Sequence, residues 1–301
     1  MIDTFYKKVG IAVALPMSII IGIFIAPEYQ QTDNIYKLPN NIKTVFIGDS
    51  HINYGIHKNK DNDSIAVFAA DSQSLTFTYA ILKRIHENNT DLAQKDIFIG
   101  FSFHNLIDLK KRKSAACYAQ YFHLLSKKQQ KEYLINPTTN RLVFTRELLK
   151  NKCCKSIYTS KENTHNKEFQ NTIEDSIIIK NRITYQFLTN NTLKPYPDSY
   201  EFNALKTIQS YGKKHNLAIH FLMTPLHNYY NELLPKNIRK LFMDTCYKSQ
   251  IQLVDYSILY SKKEEEKYFM KDGDHLNQEG AKVFTSTLLK DLNKNSVPSS
   301  F

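Results

Sequence analysis

Three residues far apart in this 301-residue sequence are of the types that acyl transfer through a serine requires. Ser50 follows an apolar run and the pair Gly48-Asp49, while Asp272 and His275 lie three positions apart near the other end. A serine hydroxyl is a poor nucleophile unless a histidine base activates it, and that base needs a carboxylate to orient it. We therefore predict Ser50 as nucleophile, His275 as base and Asp272 as the orienting carboxylate.

Each of these positions fits one edge of an α/β sheet. The run 43–47 predicts a buried parallel strand, which delivers Ser50 to the carboxyl edge where open α/β sheets bind ligands. Asn277 predicts the N-cap of an amphipathic helix over 278–292, which would hold the His275 loop in place. Gly-Asp-Ser and Asp-Gly-Asp-His are each also ordinary turn sequences. The prediction depends on finding both in one chain, in this order.

The two stretches resemble the first and last sequence blocks of a known family. Val45-Phe46-Ile47-Gly48-Asp49-Ser50 resembles the first block of the SGNH (GDSL-like) hydrolases, and Asp272-x-x-His275 with Leu276-Asn277 and Gly280-Ala281 resembles the last. Over residues 42–293 the resemblance implies a flavodoxin-like, doubly wound, five-stranded parallel sheet. It also implies the roles already predicted for Ser50, Asp272 and His275.

The oxyanion donors are less clearly marked. The family usually has a glycine after the second strand, whose backbone N–H helps to hold the oxyanion, but there is no glycine between Gly55 and Gly100. Ser72 is the best match, because any non-proline backbone can donate. Asp49, beside the nucleophile, is included among the residues of the oxyanion and substrate site.

A side-chain donor is expected after the third strand, 96–101. Ser102-Phe103-His104-Asn105 stands where the family commonly shows Gly-x-Asn-Asp, so either His104 or Asn105 could complete the oxyanion hole. A polar turn is the alternative for each of them. His227, which follows the fourth strand, could contact substrate or could cap a turn.

The remaining elements follow from apolar periodicity. The other strands are predicted at 65–70, 217–223 and 251–254, and the other helices at 75–87, 197–215 and 236–248. Residues 107–195 interrupt the alternation and are predicted to be a helical insertion over the carboxyl edge, with helices at 118–133 and 140–150 and a loop at 161–168.

The amino-terminal part has the pattern of a membrane anchor. Residues 10–26 are uncharged and almost wholly apolar, and 17 residues is close to the minimum for a bilayer core of about 30 Å. Lys7 and Lys8 precede the segment, which predicts a cytoplasmic amino terminus with the rest periplasmic or extracellular. A cleaved signal peptide and a buried helix are the alternatives. The predicted organisation is an anchor at 1–27, a linker at 28–41 and an SGNH hydrolase-like domain at 42–301.

Charge and cysteine content bear on which partners and cofactors the protein could bind. The formal charge of +11 would attract anionic partners, but the lysines are scattered and no nucleic-acid motif accompanies them, so we predict no nucleic-acid partner. The four cysteines have no metal-ligand spacing, and no metal or organic cofactor is expected.

The resemblance and the topology together predict an esterase or O-acyltransferase that acts on acetyl groups of a cell-envelope polysaccharide. Its partners would be an acylated glycan or ester substrate and a membrane-bound acyl-donor protein. The alternatives are an inactive envelope scaffold with the same fold and a lipid or small-ester hydrolase.

Overall fold

The computed structural model of the protein describes residues 33–58, 63–107, 169–170, 172–190, 192–194, 196–197 and 199–294, with the single positions 124, 127 and 130. The chain divides into two units, residues 1–37 and 38–301. In the first unit only a 3-10 helix at Asp33–Tyr36 and the residue after it are described. Within the described ranges, no helix is long and apolar enough to cross a membrane. The predicted anchor, and all but three positions of 118–168, lie outside those ranges.

The second unit is built on a five-stranded parallel sheet. The strands are β1 (Thr44–Gly48), β2 (Ile65–Ala69), β3 (Asp96–Gly100), β4 (Ala218–Met223) and β5 (Leu253–Asp255). Their spatial order is β2-β1-β3-β4-β5. This is the doubly wound order of flavodoxin-like sheets, which bind ligands where the strand order reverses, between β1 and β3. The predicted doubly wound, five-stranded parallel sheet is therefore observed, and the predicted strand limits differ by one or two residues.

Strand β1 lies at the centre of the core. Val45, Phe46 and Ile47 have no exposed surface, because both faces of the sheet are covered by helices, which explains the unbroken apolar run. The Phe46 ring stacks on Phe98 of β3, with ring centroids 5.4 Å apart. This packing fixes the strand that precedes Ser50.

Seven α-helices accompany the sheet in the described ranges. They are α1 (Ser50–Gly55), α2 (Leu75–Asn88), α3 (Ile173–Phe187), α4 (Ser199–Lys214), α5 (Asn228–Leu233), α6 (Lys236–Lys248) and α7 (Gln278–Asn293). Residues 188–189 and 192–193 form a short antiparallel hairpin. Helices α2, α4, α6 and α7 agree with the sequence predictions apart from their ends. Helix α3 lies at the end of the predicted insertion and was not predicted.

Helix α1 approaches the sheet closely because two neighbouring strands end in glycine. A Cβ atom added to Gly48 would lie 2.6 Å from Cγ1 of Ile52, and one added to Gly100 would also overlap that side chain. Ile52 is completely buried as a result. The first turn of α1 is thereby held against the carboxyl ends of β1 and β3.

Candidate active site

Ser50 is the first residue of α1, directly after the turn that ends β1. Asp49 is the N-cap, and its Oδ1 accepts a hydrogen bond from the backbone N–H of His51 at 2.9 Å. The first N–H groups of a helix have no intrahelical acceptor. The backbone N–H of Ser50 is in that position, which makes it suitable for an anionic oxygen formed next to the Ser50 side chain.

The structure brings the three residues of the predicted triad together. The Ser50 hydroxyl lies 2.8 Å from Nε2 of His275. Nδ1 of His275 lies 2.7 Å from Oδ2 of Asp272. The hydroxyl, the imidazole and the carboxylate thus form one continuous chain of hydrogen bonds, although Ser50 and His275 are 225 positions apart in sequence.

The loop carrying Asp272 and His275 depends on Gly273. This residue has a positive φ of 70°, a backbone conformation that residues other than glycine rarely adopt. A Cβ atom at this position would also meet Cδ1 of Ile179, on α3, at 2.7 Å. The carbonyl of Gly273 accepts a hydrogen bond from the backbone N–H of His227 at 2.9 Å. Backbone conformation and packing against α3 therefore determine the shape of the loop.

A second carboxylate, that of Asp274, also faces His275. Asp274 is completely buried, and its Oδ1 lies 3.3 Å from Nδ1 of His275. Its Oδ2 accepts hydrogen bonds from Nε of Arg182 at 2.9 Å and from Nε2 of Gln186 at 2.7 Å. The hydroxyl of Tyr230 donates to Oε1 of Gln186. Arg182 and Gln186 are on α3, 92 and 88 positions before Asp274, so no local sequence signal could reveal the contact.

The two carboxylates change the acid–base behaviour of His275. Burial alone would lower the pKa of the imidazole, but the negative charges of Asp272 and Asp274 outweigh it and raise the pKa of His275 to about 9. Burial would raise the pKa of Asp274, but the positive charges of Arg182 and His275, with smaller contributions from His51 and His104, together outweigh burial and hold that pKa far below its usual range. The arrangement favours an imidazolium, the form that a histidine base reaches after it accepts the serine proton.

Asp49 organises the loop after β3. Its Oδ2 lies 2.6 Å from Nε2 of His104 and accepts a hydrogen bond from Nδ2 of Asn105 at 2.8 Å. The other end of the Asn105 amide, Oδ1, accepts from the backbone N–H of Ser102 at 2.6 Å. These contacts fix the orientation of the Asn105 amide, and Asp49 acts as a structural acceptor rather than a free substrate ligand.

The same contacts distinguish the two predicted side-chain donors. Burial would raise the pKa of Asp49, but the adjacent His104 lowers it well below its ordinary value, so the carboxylate can only accept. His104 must therefore donate through Nε2. Burial lowers the pKa of His104, which keeps the ring neutral with Nδ1 as an acceptor. Asn105 has a second N–H on Nδ2, so it can donate to an oxyanion where neutral His104 cannot.

Ser72, the residue predicted to stand in for the family glycine, lies in the loop after β2. Its φ is 61°, in the left-handed region that glycine adopts most easily. The neighbouring Asp71 accepts hydrogen bonds from Asn53 at 3.3 Å and from the Tyr54 hydroxyl at 2.9 Å, both on α1. These bonds tie the loop containing Ser72 to the helix that carries Ser50.

His227 lies at the N-cap of α5, behind the loop of Asp272 and His275. Its Nδ1 accepts from the backbone N–H of Tyr229 at 3.1 Å, and its ring packs on Phe169 and Phe269. Burial lowers the pKa of His227 to about 4, so the ring stays neutral. Of the two alternatives drawn from the sequence, the structure places this residue as a capping histidine, because its ring is enclosed.

His51, the residue after Ser50, completes the buried cluster. Its side chain is 3% exposed, and in the described part of the chain neither ring nitrogen has a hydrogen-bond partner. The ring stacks on His104 at 4.4 Å and lies 4.8 Å from the ring of His275. Its nitrogens are 3.5 Å from Asp49 Oδ1 and 3.9 Å from Asp274 Oδ2.

Two groups in this cluster have metal-ligand residue types, Asp49–His51–His104 and His51–Asp274–His275. In the first, the two rings are stacked with an interplanar angle of 27°, so their lone pairs do not converge on one point. In the second, Asp274 is already paired with the positively charged Arg182, which would repel a metal cation. The chemistry of these side chains suits proton transfer better than metal binding.

Comparisons with known proteins find similarity only among solved structures. Neither the family models nor the curated proteins give a match to this sequence. Among solved structures, a GDSL-like lipase from Bacteroides thetaiotaomicron is similar at 12% identity and a TM-score of 0.41, covering 89% of this chain and 97% of that chain. An acetylxylan esterase from Geobacillus stearothermophilus is similar at 11% identity and a TM-score of 0.35, covering 87% and 99%. A lipase/acylhydrolase from Enterococcus faecalis has 10% identity and a TM-score of 0.37, covering 84% and 97%. Such values do not assign the chain to a family, so its function has to be inferred from the geometry of the site.

Proposed function

We propose that the protein is a serine acyl-esterase or O-acyltransferase of the SGNH type. The observation that carries this proposal is the chain of hydrogen bonds from Ser50 through His275 to Asp272. Catalytic serines need this arrangement, in which the base is within hydrogen-bond reach of the nucleophile and a third group orients the base.

The reaction begins with attack of the Ser50 oxygen on the ester carbonyl, while His275 accepts the serine proton at Nε2. Asp272 holds the ring by its Nδ1–H and stabilises the imidazolium. The negative oxygen of the tetrahedral intermediate is held by the backbone N–H groups of Ser50 and Ser72 and by the free amide N–H of Asn105. His275 then protonates the leaving alcohol, and the acyl group remains on Ser50 until water or a sugar hydroxyl accepts it.

The proposal is tested by covalent labelling with a fluorophosphonate, which reacts with activated serines. We expect the purified protein to be labelled on Ser50, and the Ser50→Ala variant, with an unchanged fold by circular dichroism, to remain unlabelled. His275→Ala should react more slowly by several orders of magnitude, because Ser50 then lacks its base. A wild-type protein that is folded and not labelled would support an inactive scaffold instead.

The finer proposal concerns the substrate and the place of reaction. We infer that the site acts on acetyl groups of a cell-envelope polysaccharide, outside the cytoplasmic membrane. The support is the uncharged segment 10–26 preceded by Lys7 and Lys8, together with the resemblance to membrane-anchored members of the SGNH family. An acyl-donor protein in the same membrane would supply the acetyl group if the enzyme is a transferase.

Hydrolase and transferase differ in what accepts the acetyl group from Ser50. The test supplies an activated acetyl ester with and without envelope glycan, and follows the acetyl group by mass spectrometry. Acetyl groups that appear on the glycan, and are lost with Ser50→Ala, would establish a transferase. Release of acetate at a rate that glycan does not change would establish an esterase.

A further inference from the structure

The buried carboxylate of Asp274 is not explained by the triad. It is completely buried, it lies 3.3 Å from the same Nδ1 atom that Asp272 contacts, and its other oxygen is held by Arg182 and Gln186. A buried charge is costly unless it is paired and hydrogen-bonded. We propose that Asp274 and Arg182 form a positioning pair that sets the proton affinity of His275, so that helix α3 determines the pH range in which the base works.

Several titratable or charged groups face His275, and the pair must act among them. The imidazole is contacted by Asp272 and Asp274 from its own loop, and by the rings of His51 and Tyr54 from α1, at 4.8 and 5.2 Å. Arg182 from α3 adds a positive charge, because its Nε forms an ion pair with Oδ2 of Asp274 at 2.9 Å. Asp274 therefore adds a negative charge beside His275, and Arg182 offsets part of it.

Helix α3 is joined to the same loop at two further points. Nζ of Lys271 lies 3.4 Å from the buried carboxylate of Asp175, near the start of α3. Ile179 lies at Gly273, where a Cβ atom would not fit. The helix thus contacts the loop at residues 271, 273 and 274, and its docking is coupled to the environment of His275.

Loss of the Asp274 charge and loss of the Arg182 charge should shift the pKa of His275 in opposite directions. Without the carboxylate of Asp274 the imidazolium loses a stabilising charge, so His275 becomes neutral, and active as a base, at lower pH. Without Arg182 the remaining carboxylates act on His275 with less compensation, so the ring stays protonated to higher pH. A single charge at about 4–6 Å shifts a pKa by about 1–3 units. A purely structural role for these residues would lower the rate without moving the pH midpoint.

The experiment measures the rate of fluorophosphonate labelling of the full chain against pH. For wild type, the rate should rise with pH to a midpoint near 9. Asp274→Asn should move that midpoint down by about one unit or more and Arg182→Gln should move it up, while Arg182→Lys should restore part of the wild-type value. Lys180→Gln is the matched control, because it removes a positive charge from the exposed face of the same helix. It should leave the midpoint unchanged.

A second measurement does not depend on activity. In the full chain labelled with ¹³C-histidine, the His275 signal is identified by its loss in His275→Gln, and its chemical shift is followed against pH in each variant. Opposite displacements in Asp274→Asn and Arg182→Gln support the pair. Equal displacements, or none, overturn it. The inference rests on the proposed role of His275 as base, and absence of labelling in every protein would reject that role. The titration of His275 would still decide whether the pair acts on it.

Discussion

Single hydrogen bonds at Asp49 determine which side chain can complete the oxyanion hole. His104 and Asn105 both contact the same oxygen, Asp49 Oδ2. A neutral histidine has one N–H, and His104 has to use it on Asp49, whereas an amide nitrogen has two. The donor inventory therefore favours Asn105, although the sequence alone ranked the two residues equally.

This difference leads to a prediction with a matched pair of variants. Asn105→Ala and His104→Ala each remove one contact to Asp49, so both should lower the thermal stability. Only Asn105→Ala should also remove an oxyanion donor, which typically lowers kcat by about 100- to 1000-fold. The measurement is kcat for hydrolysis of an activated acetyl ester, with melting temperatures of both variants. An equal or larger loss of kcat in His104→Ala would assign the donor to His104 instead.

The residues of the candidate site differ in how far the sequence could predict them. Ser50, Asp272 and His275 are marked by short local patterns, and the structure places them in contact. Asp274 and Arg182 have no such mark, because an aspartate in a polar turn and an arginine in a helix are each unremarkable until folding joins them across 92 positions. Long-range ion pairs of this kind require the tertiary structure.

Among the elements, the strands could be predicted and helix α3 could not. Strands of a buried parallel sheet appear in the sequence as continuous apolar runs. Helix α3 instead buries Asp175 and Gln186 and exposes Ile173 and Ile177, which obscures its amphipathic pattern. Its polar buried positions have a reason that only the structure gives, since Asp175 caps the helix and Gln186 binds Asp274.

The contact between α3 and the His275 loop makes Gly273 sensitive to substitution. Gly273→Ala should lower stability by about 1–2 kcal/mol, because alanine is strained at a positive φ, and should also slow labelling of Ser50. Gly212→Ala is the control. A Cβ atom there also meets an isoleucine Cδ1 at 2.7 Å, on Ile219, but Gly212 has no positive φ and lies far from the loop in sequence.

Urea unfolding and labelling rates separate the two substitutions. We expect Gly212→Ala to keep the wild-type labelling rate, because helix α4 carries none of the candidate site residues. If both variants lost stability equally and neither slowed labelling, the conformation of Gly273 would not matter for the site.

For the whole molecule, the prediction concerns the segment that precedes the folded unit. If 10–26 is an uncleaved anchor, the full chain should be found in the membrane fraction, and protease added to intact spheroplasts should digest residues 28–301. Deleting residues 1–27 should release a soluble protein that is still labelled on Ser50. Deleting residues 28–32 is the control, because it spares the buried Tyr36 and Leu38, and it should leave the protein in the membrane. Complete protection of the domain in intact spheroplasts would contradict the predicted topology.

The separation of Ser50 from His275 has a consequence for synthesis. The strand and helix that carry Ser50 leave the ribosome early, but His275, the proposed base, follows 225 codons later. The hydrogen bond from the His57 backbone N–H to the Thr285 hydroxyl, at 2.8 Å, needs a residue that is made later still. Because chains are made from the amino terminus, a nascent or prematurely terminated polypeptide contains the serine without its base. If Ser50 is the proposed nucleophile, the site would therefore be incomplete during translation, and it would form only when helix α7 packs beside helix α1.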